Sequence, residues 1–226
     1  MADIRWNYPG IICCLHLDLQ TVQQEEGNVI YAGAKRISGE EEAGMRMERE
    51  KQALDALLAD NSEKQKQGIH FMIASILIWT GVAILQLLPI EVMQRNLFTF
   101  GLSAVLVPAA YGVSKALNIT FDNKENPLNY LGLLFACNQF LYILIAMWAY
   151  RMAPEYFLMI YAMIFGAHLM PYSWLYKSRA YMISSIIVPI ASLMIGCTFG
   201  ALWIAVFMLA HQIVFVGILW KKNVGR

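Results

Sequence analysis

Twenty consecutive residues, Ile69–Leu88, contain no Asp, Glu, Lys or Arg. As a helix rising about 1.5 Å per residue, the stretch matches the roughly 30 Å hydrocarbon core of a bilayer. Such a run leaves few folds open. Within lipid each backbone polar group must be satisfied inside its own segment, so the run reads as a transmembrane helix. Nearly everything after it repeats the pattern. Further apolar runs cover 97–117, 128–149, 155–172, 180–195 and 201–220. The last two flank an uncharged stretch, Gly196–Gly200, read as a tight turn. A single helix over Ala180–Trp220 would be twice the length of a span. The predicted fold class is all-α, an integral membrane bundle of six transmembrane helices.

Charge is divided between two regions. Residues 1–68 hold twelve acidic and eight basic residues, whereas 69–226 hold four and nine. Thirteen charges in the 158-residue second region fall far below the roughly 25% of a soluble domain. The basic residues also give an orientation. The twenty residues before the first span, the 2–3 and 4–5 loops and the C-terminus carry eleven Lys and Arg; the opposite set of loops has only Arg95 and Arg151. By the positive-inside rule both termini are expected in the cytoplasm, giving an N-in/C-in bundle in the cell (cytoplasmic) membrane. Trp148, Tyr150 and Tyr156 then form an outer aromatic belt, and Tyr172, Trp174 and Tyr176 an inner one.

The polar leader divides further. Residues 1–44 show no clear period, and their apolar core, Ile11–Leu15, is too short to span. They are expected to be a disordered tail or an upstream mis-annotated extension. In the second case Gly39–Glu42 would be a purine-rich ribosome-binding stretch in translation, with Met45 or Met47 as the native start. Residues 45–68 read as a cytoplasmic amphipathic helix and linker. Ala53, Leu54, Leu57 and Leu58 share one face of a helix expected over Glu48–Ala59. Asn61-Ser62 should break it, and Ser62 with Gln65 fits a capping box opening the first transmembrane helix.

Chemistry-bearing motifs are sparse. The chain has no phosphate-binding G-x-x-x-x-G-K-[ST], no G-x-S-x-G and no H-E-x-x-H. No basic run with interleaved aromatics points to nucleic acid. No pair of carboxylates lies within a span, which counts against an ion-coupled transporter. Cys13, Cys14, Cys137 and Cys197 lack metal-ligand spacing and read as free thiols. No catalytic residue, metal site or cofactor is expected.

The intramembrane polar groups are amides and histidines. Asn138-Gln139 and His211-Gln212 each fall at the eleventh and twelfth positions of their runs. Buried near the bilayer centre, such groups need partners. The economical arrangement has spans three and six touching, with the two pairs bonded to each other in a midplane polar site. The equal depth also hints at a three-plus-three repeat, in which spans two and five correspond through Pro108 and Pro189. His168 and Tyr172, near the end of span four, are the candidate cytoplasmic-side gate.

At FDNKENPL (Phe121–Leu128) and IFGAHLMPYSWLYKS (Ile164–Ser178) the chain resembles an uncharacterised family of small bacterial membrane proteins. The resemblance runs from about residue 48 to the C-terminus. It implies a bacterial cytoplasmic-membrane setting and supplies no activity or catalytic residue.

These readings leave three functions. The first is a small-solute permease or transport-related protein built on the midplane site. The second is a non-catalytic assembly or regulatory protein acting through its cytoplasmic helix and loops. The third is a membrane enzyme on lipid-linked substrates, in which His168 and a carboxylate such as Asp122 would converge. The expected partners are the lipid bilayer and either a small solute or another membrane protein.

Overall fold

A computed structural model describes residues 40–224 of the chain. The tail expected over residues 1–44 lies outside the described residues except for its last five, which are helical. The chain divides into two units, with the boundary between Leu54 and Asp55. In the first unit residues 40–54 are helical and exposed, and Arg46 pairs with Glu50 one turn on at 3.0 Å.

The second unit opens with α1, residues 55–64. Asn61-Ser62 does not break this helix. Ser62 Oγ donates to the Tyr176 carbonyl (3.4 Å) and Gln65 Nε2 to Asn129 Oδ1 (3.0 Å), so both side chains of the expected capping box have tertiary partners. The break comes at Lys66–Gly68 instead. There follow α2 (Ile69–Leu87), α3 (Val92–Ala104), α4 (Leu106–Ala116), α5 (Leu128–Met152), α6 (Phe157–Ala167), α7 (Leu169–Leu175), α8 (Arg179–Thr198) and α9 (Ala201–Val224). No strand occurs among the described residues.

Among the described residues six helical stretches are long and apolar enough to cross a membrane: Lys66–Leu87, Val92–Ala116, Leu128–Met152, Pro154–Leu175, Arg179–Thr198 and Ala201–Asn223. The protein is an all-helical, six-span membrane protein. Spans five and six are separate helices. Their turn is shorter than Gly196–Gly200, comprising Phe199 and Gly200, with Gly200 at φ 87°.

Two spans are broken by proline. Pro108 has no N–H for the carbonyl of Ala104, and α3 ends there; Pro171 likewise leaves the carbonyl of Ala167, where α6 ends. Pro189, by contrast, lies inside an unbroken α8. The proline-broken pair is therefore spans two and four, not two and five, and the expected repeat loses its marker.

The closest helix pairings are α2 with α9 and α6 with α8. Gly166 makes the second of these possible. A Cβ there would come within 2.6 Å of Pro189 Cδ and Val188 Cγ1. Trp79 from α2 meets Phe165 from α6 edge-on, with ring centroids 5.8 Å apart. Such dispersion contacts matter here because lipid tails are as apolar as the core itself. α5 packs on α6 and α7 at the margin of this arrangement.

Candidate functional site

The end of the unit formed by α1, the 118–127 loop and residues 176–178 is held by amides. Asp60 accepts from Asn126 Nδ2 (2.8 Å), Asn123 Nδ2 (3.0 Å) and Lys64 Nζ (3.0 Å). These donors, Asn126 foremost, hold its carboxyl down to about 2, and Asp60 in turn raises Lys64. Asn126 also donates to the Leu57 carbonyl (2.8 Å) and accepts from Leu128 N (3.0 Å), at the start of α5, where Pro127 is the residue before the helix. The asparagines of the FDNKENPLN stretch thus fasten the loop to α1. Lys177 pairs with Asp55 from the other side.

A second series of bonds leads inward. Asn129 Nδ2 donates to Asp122 (2.6 Å), and Gln65 Nε2 donates to Asn129 Oδ1 (3.0 Å). Tyr176 Oη donates to Gln65 Oε1 (2.9 Å), and burial pushes that phenol above its ordinary range, so it stays a donor at any physiological pH. Gln67 Nε2 donates to the Tyr176 carbonyl (3.3 Å), and Tyr181 Oη to the Gln67 carbonyl (2.7 Å).

These last bonds clasp a strained turn. Lys66, Gln67 and Gly68 have φ of 46°, 54° and 68°. The left-handed conformation costs a non-glycine residue roughly 1–2 kcal/mol, so two such residues in sequence need external support. Tyr181 and Asn223 supply it by donating to the carbonyls of Gln67 and Lys66. Gly68 lies against the Tyr176 ring, where a Cβ would stand 3.0 Å from the hydroxyl.

The four residues expected at the midplane separate into two pairs. Asn138 is exposed and donates to Tyr142 Oη (3.1 Å) on its own helix, and Gln139, beside it, is half-buried. Gln212 is fully buried and accepts from Ser75 Oγ on α2 (3.0 Å). His211 Nε2 bonds Ser184 Oγ on α8 (3.1 Å). The polar link across the core therefore joins spans one, five and six. Spans three and six do not supply it, because consecutive residues of α9 point about 100° apart and reach α2 and α8. Gln212 Nε2 and His211 Nδ1 remain buried without a partner.

His168 and Tyr172 do come together, with ring centroids 5.1 Å apart. Aromatic contacts continue from Tyr172 to Tyr181 (6.5 Å), to Phe215 (4.9 Å) and to His211 (5.7 Å). Tyr176 stacks on Tyr172 at 6.0 Å. The expected gate and one of the four expected midplane residues, His211, are thus ends of one aromatic series. Both ring nitrogens of His168 lack partners, as do those of His70, a third intramembrane histidine packed against Phe71 and Phe121. The convergence of His168 with Asp122 is not seen. Asp122 is exposed on the loop and is linked to His168 only at a distance, through Asn129, Gln65, Tyr176 and Tyr172.

Residues not singled out from sequence include Asp60, Gln67, Ser75, Tyr181 and Ser184, while Gln65 and Tyr176 were read only as a capping and an aromatic-belt residue. One signal was present for the loop. Asparagines at 123, 126 and 129 recur every three residues across the loop and the first turn of α5, a residue type suited to local hydrogen bonding where a turn is made. Among the described residues no three His, Cys, Asp or Glu side chains cluster as a metal site.

The architecture defines a class, the multi-pass helical membrane proteins. Within that class the chain belongs to the family of unknown function DUF7010, whose model matches residues 54–222. Neither a curated protein nor a solved structure matches it.

Proposed function

We propose that the protein is transport-related and accommodates a small polar solute between spans one, five and six, with His211 and Gln212 as its binding groups. The observation that carries this reading is Gln212. It is fully buried, its carbonyl is engaged by Ser75, and its NH2 group has no acceptor. Leaving a buried donor unmet costs roughly 1–3 kcal/mol. A solute bearing an acceptor oxygen would recover that cost and would also meet the unpartnered His211 Nδ1. His168 and Tyr172 would act as the gate at the basic end, which the Lys/Arg bias assigns to the cytoplasm of a cell membrane.

Purified protein in liposomes, tested for flux of small neutral and anionic solutes, examines this directly. Gln212→Leu and His211→Leu should abolish flux, and Asn138→Leu should preserve it. Flux no greater than in protein-free liposomes, or flux untouched by both core substitutions, defeats the reading.

A second reading, an assembly or regulatory protein, is favoured by the exposed helical stretch 40–54, where Met45 and Met47 are uncovered. It expects a protein crosslinked specifically to Met45 or Met47 positions in native membranes.

A further inference from the structure

Asn138 puts a carboxamide midway along a helix that faces lipid. It is the eleventh residue of α5, and around it Leu134, Leu141, Ile145, Trp148 and Met152 are likewise exposed. From Leu134 to Met152 these six positions are spaced alternately by four and three residues. That spacing lays them along one stripe of the helix and is the repeat of a left-handed helix-packing seam. Ala146 and Ala149 are buried and belong to the side of α5 that packs within the chain.

The bond from Asn138 to Tyr142 uses one N–H. An amide has a second N–H and a carbonyl besides. Hydrocarbon offers nothing to either, and burying them unmet is unfavourable. We propose that this stripe is a self-association surface, covered by a second copy of the chain packed in parallel so that Asn138 meets its own counterpart.

The choice of occupant follows from insertion and symmetry. Copies of one chain enter the membrane in the same sense, so equal residues lie at equal depth, and a rotational axis brings identical side chains together. A carboxamide is donor and acceptor at once and is complementary to itself. Lipid has no matching group at that depth. A single amide in an otherwise apolar seam is also the device that fixes register between parallel helices. This inference is independent of the transport reading, because it uses neither His211 nor Gln212.

Single-cysteine crosslinking tests it, using the full chain in its membrane with the four native cysteines replaced by alanine. Cysteine is placed at Ile145, on the stripe, or at Met147, exposed at similar depth but off it. Mild oxidation should link Ile145→Cys into a dimer several-fold faster than Met147→Cys. Adding Asn138→Leu should slow the Ile145→Cys reaction about threefold at matched membrane levels, the size of a typical interhelical bond, and Asn138→Gln should restore part of the rate. Equal rates at the two positions, no linkage at either, an adduct with a different protein, or a rate indifferent to Asn138→Leu would each overturn the proposal.

Discussion

Helices α2 and α5 are both long, apolar and free of charge through their middles, yet they occupy opposite environments. Nine of the nineteen residues of α2 are buried, among them His70, Ser75 and Gln86. In α5 the buried residues, among those described, are Ala146 and Ala149. Ser75, buried on α2, consequently meets Gln212 on another helix, whereas Asn138 on α5 bonds its own next turn. Bilayer insertion selects for apolar content, which the two helices share. It does not select for position in the bundle, which depends on shape and on the few polar groups that need partners.

Substitutions can break this contrast, beginning with the most severe. Trp79→Ala in α2 should cost about 3–5 kcal/mol, since the ring is 1% exposed and contacts Phe165 and Tyr161. Leu144→Ala in α5, at 63% exposure, should stay within about 0.5 kcal/mol. Reversible unfolding in mixed micelles measures both, and equal effects would erase the distinction between the two helices.

Glycines sharpen the same point. Gly166→Leu should destabilise by about 3 kcal/mol, because Val188 and the Pro189 ring already occupy the space. Gly112→Leu, with nothing within 4 Å of its Cβ position, should be close to neutral. The same unfolding assay reads this pair.

Gly68→Ala should cost about 1–2 kcal/mol, combining a left-handed backbone with pressure on Tyr176. Its signature is local: faster hydrogen exchange at residues 65–68, with α5 unchanged.

The mildest effect concerns pH. The Asp60 carboxyl titrates near 2 in the folded chain against an ordinary 3.8. Its contribution is therefore complete above about 3.8 and is lost as pH falls through about 2. Limited proteolysis of the 118–127 loop should rise across that window and not above it. Asp60→Asn should remove the dependence, and a loop already open at pH 6 in the native chain would contradict the clasp.

Certain features were legible without coordinates because bilayer thickness enforces them locally. Ile69–Leu88 had to be helical, and Ala180–Trp220 had to divide. Pro171 has no N–H for the Ala167 carbonyl, a purely local consequence of residue type, and the break is found there. The pairing of Asn138-Gln139 with His211-Gln212 was read from equal depth, and depth does not specify which way a side chain points. One residue of register on α9 sends His211 to α8 and Gln212 to α2. The capping box at Ser62 failed for a related reason: Tyr176 and Asn129, more than sixty residues away, offered those side chains better partners than their own backbone.

By itself, then, the sequence determined the number of spans, their order and the asymmetry of their charged ends, since these follow from apolar length and composition in each segment. The tertiary structure alone decided that spans one, five and six share the buried polar link, that span three stays peripheral, and that Tyr176 and Tyr181 support a left-handed turn at Lys66–Gly68. Those outcomes rest on close approach between helices and on the satisfaction of individual polar atoms, which no single segment encodes.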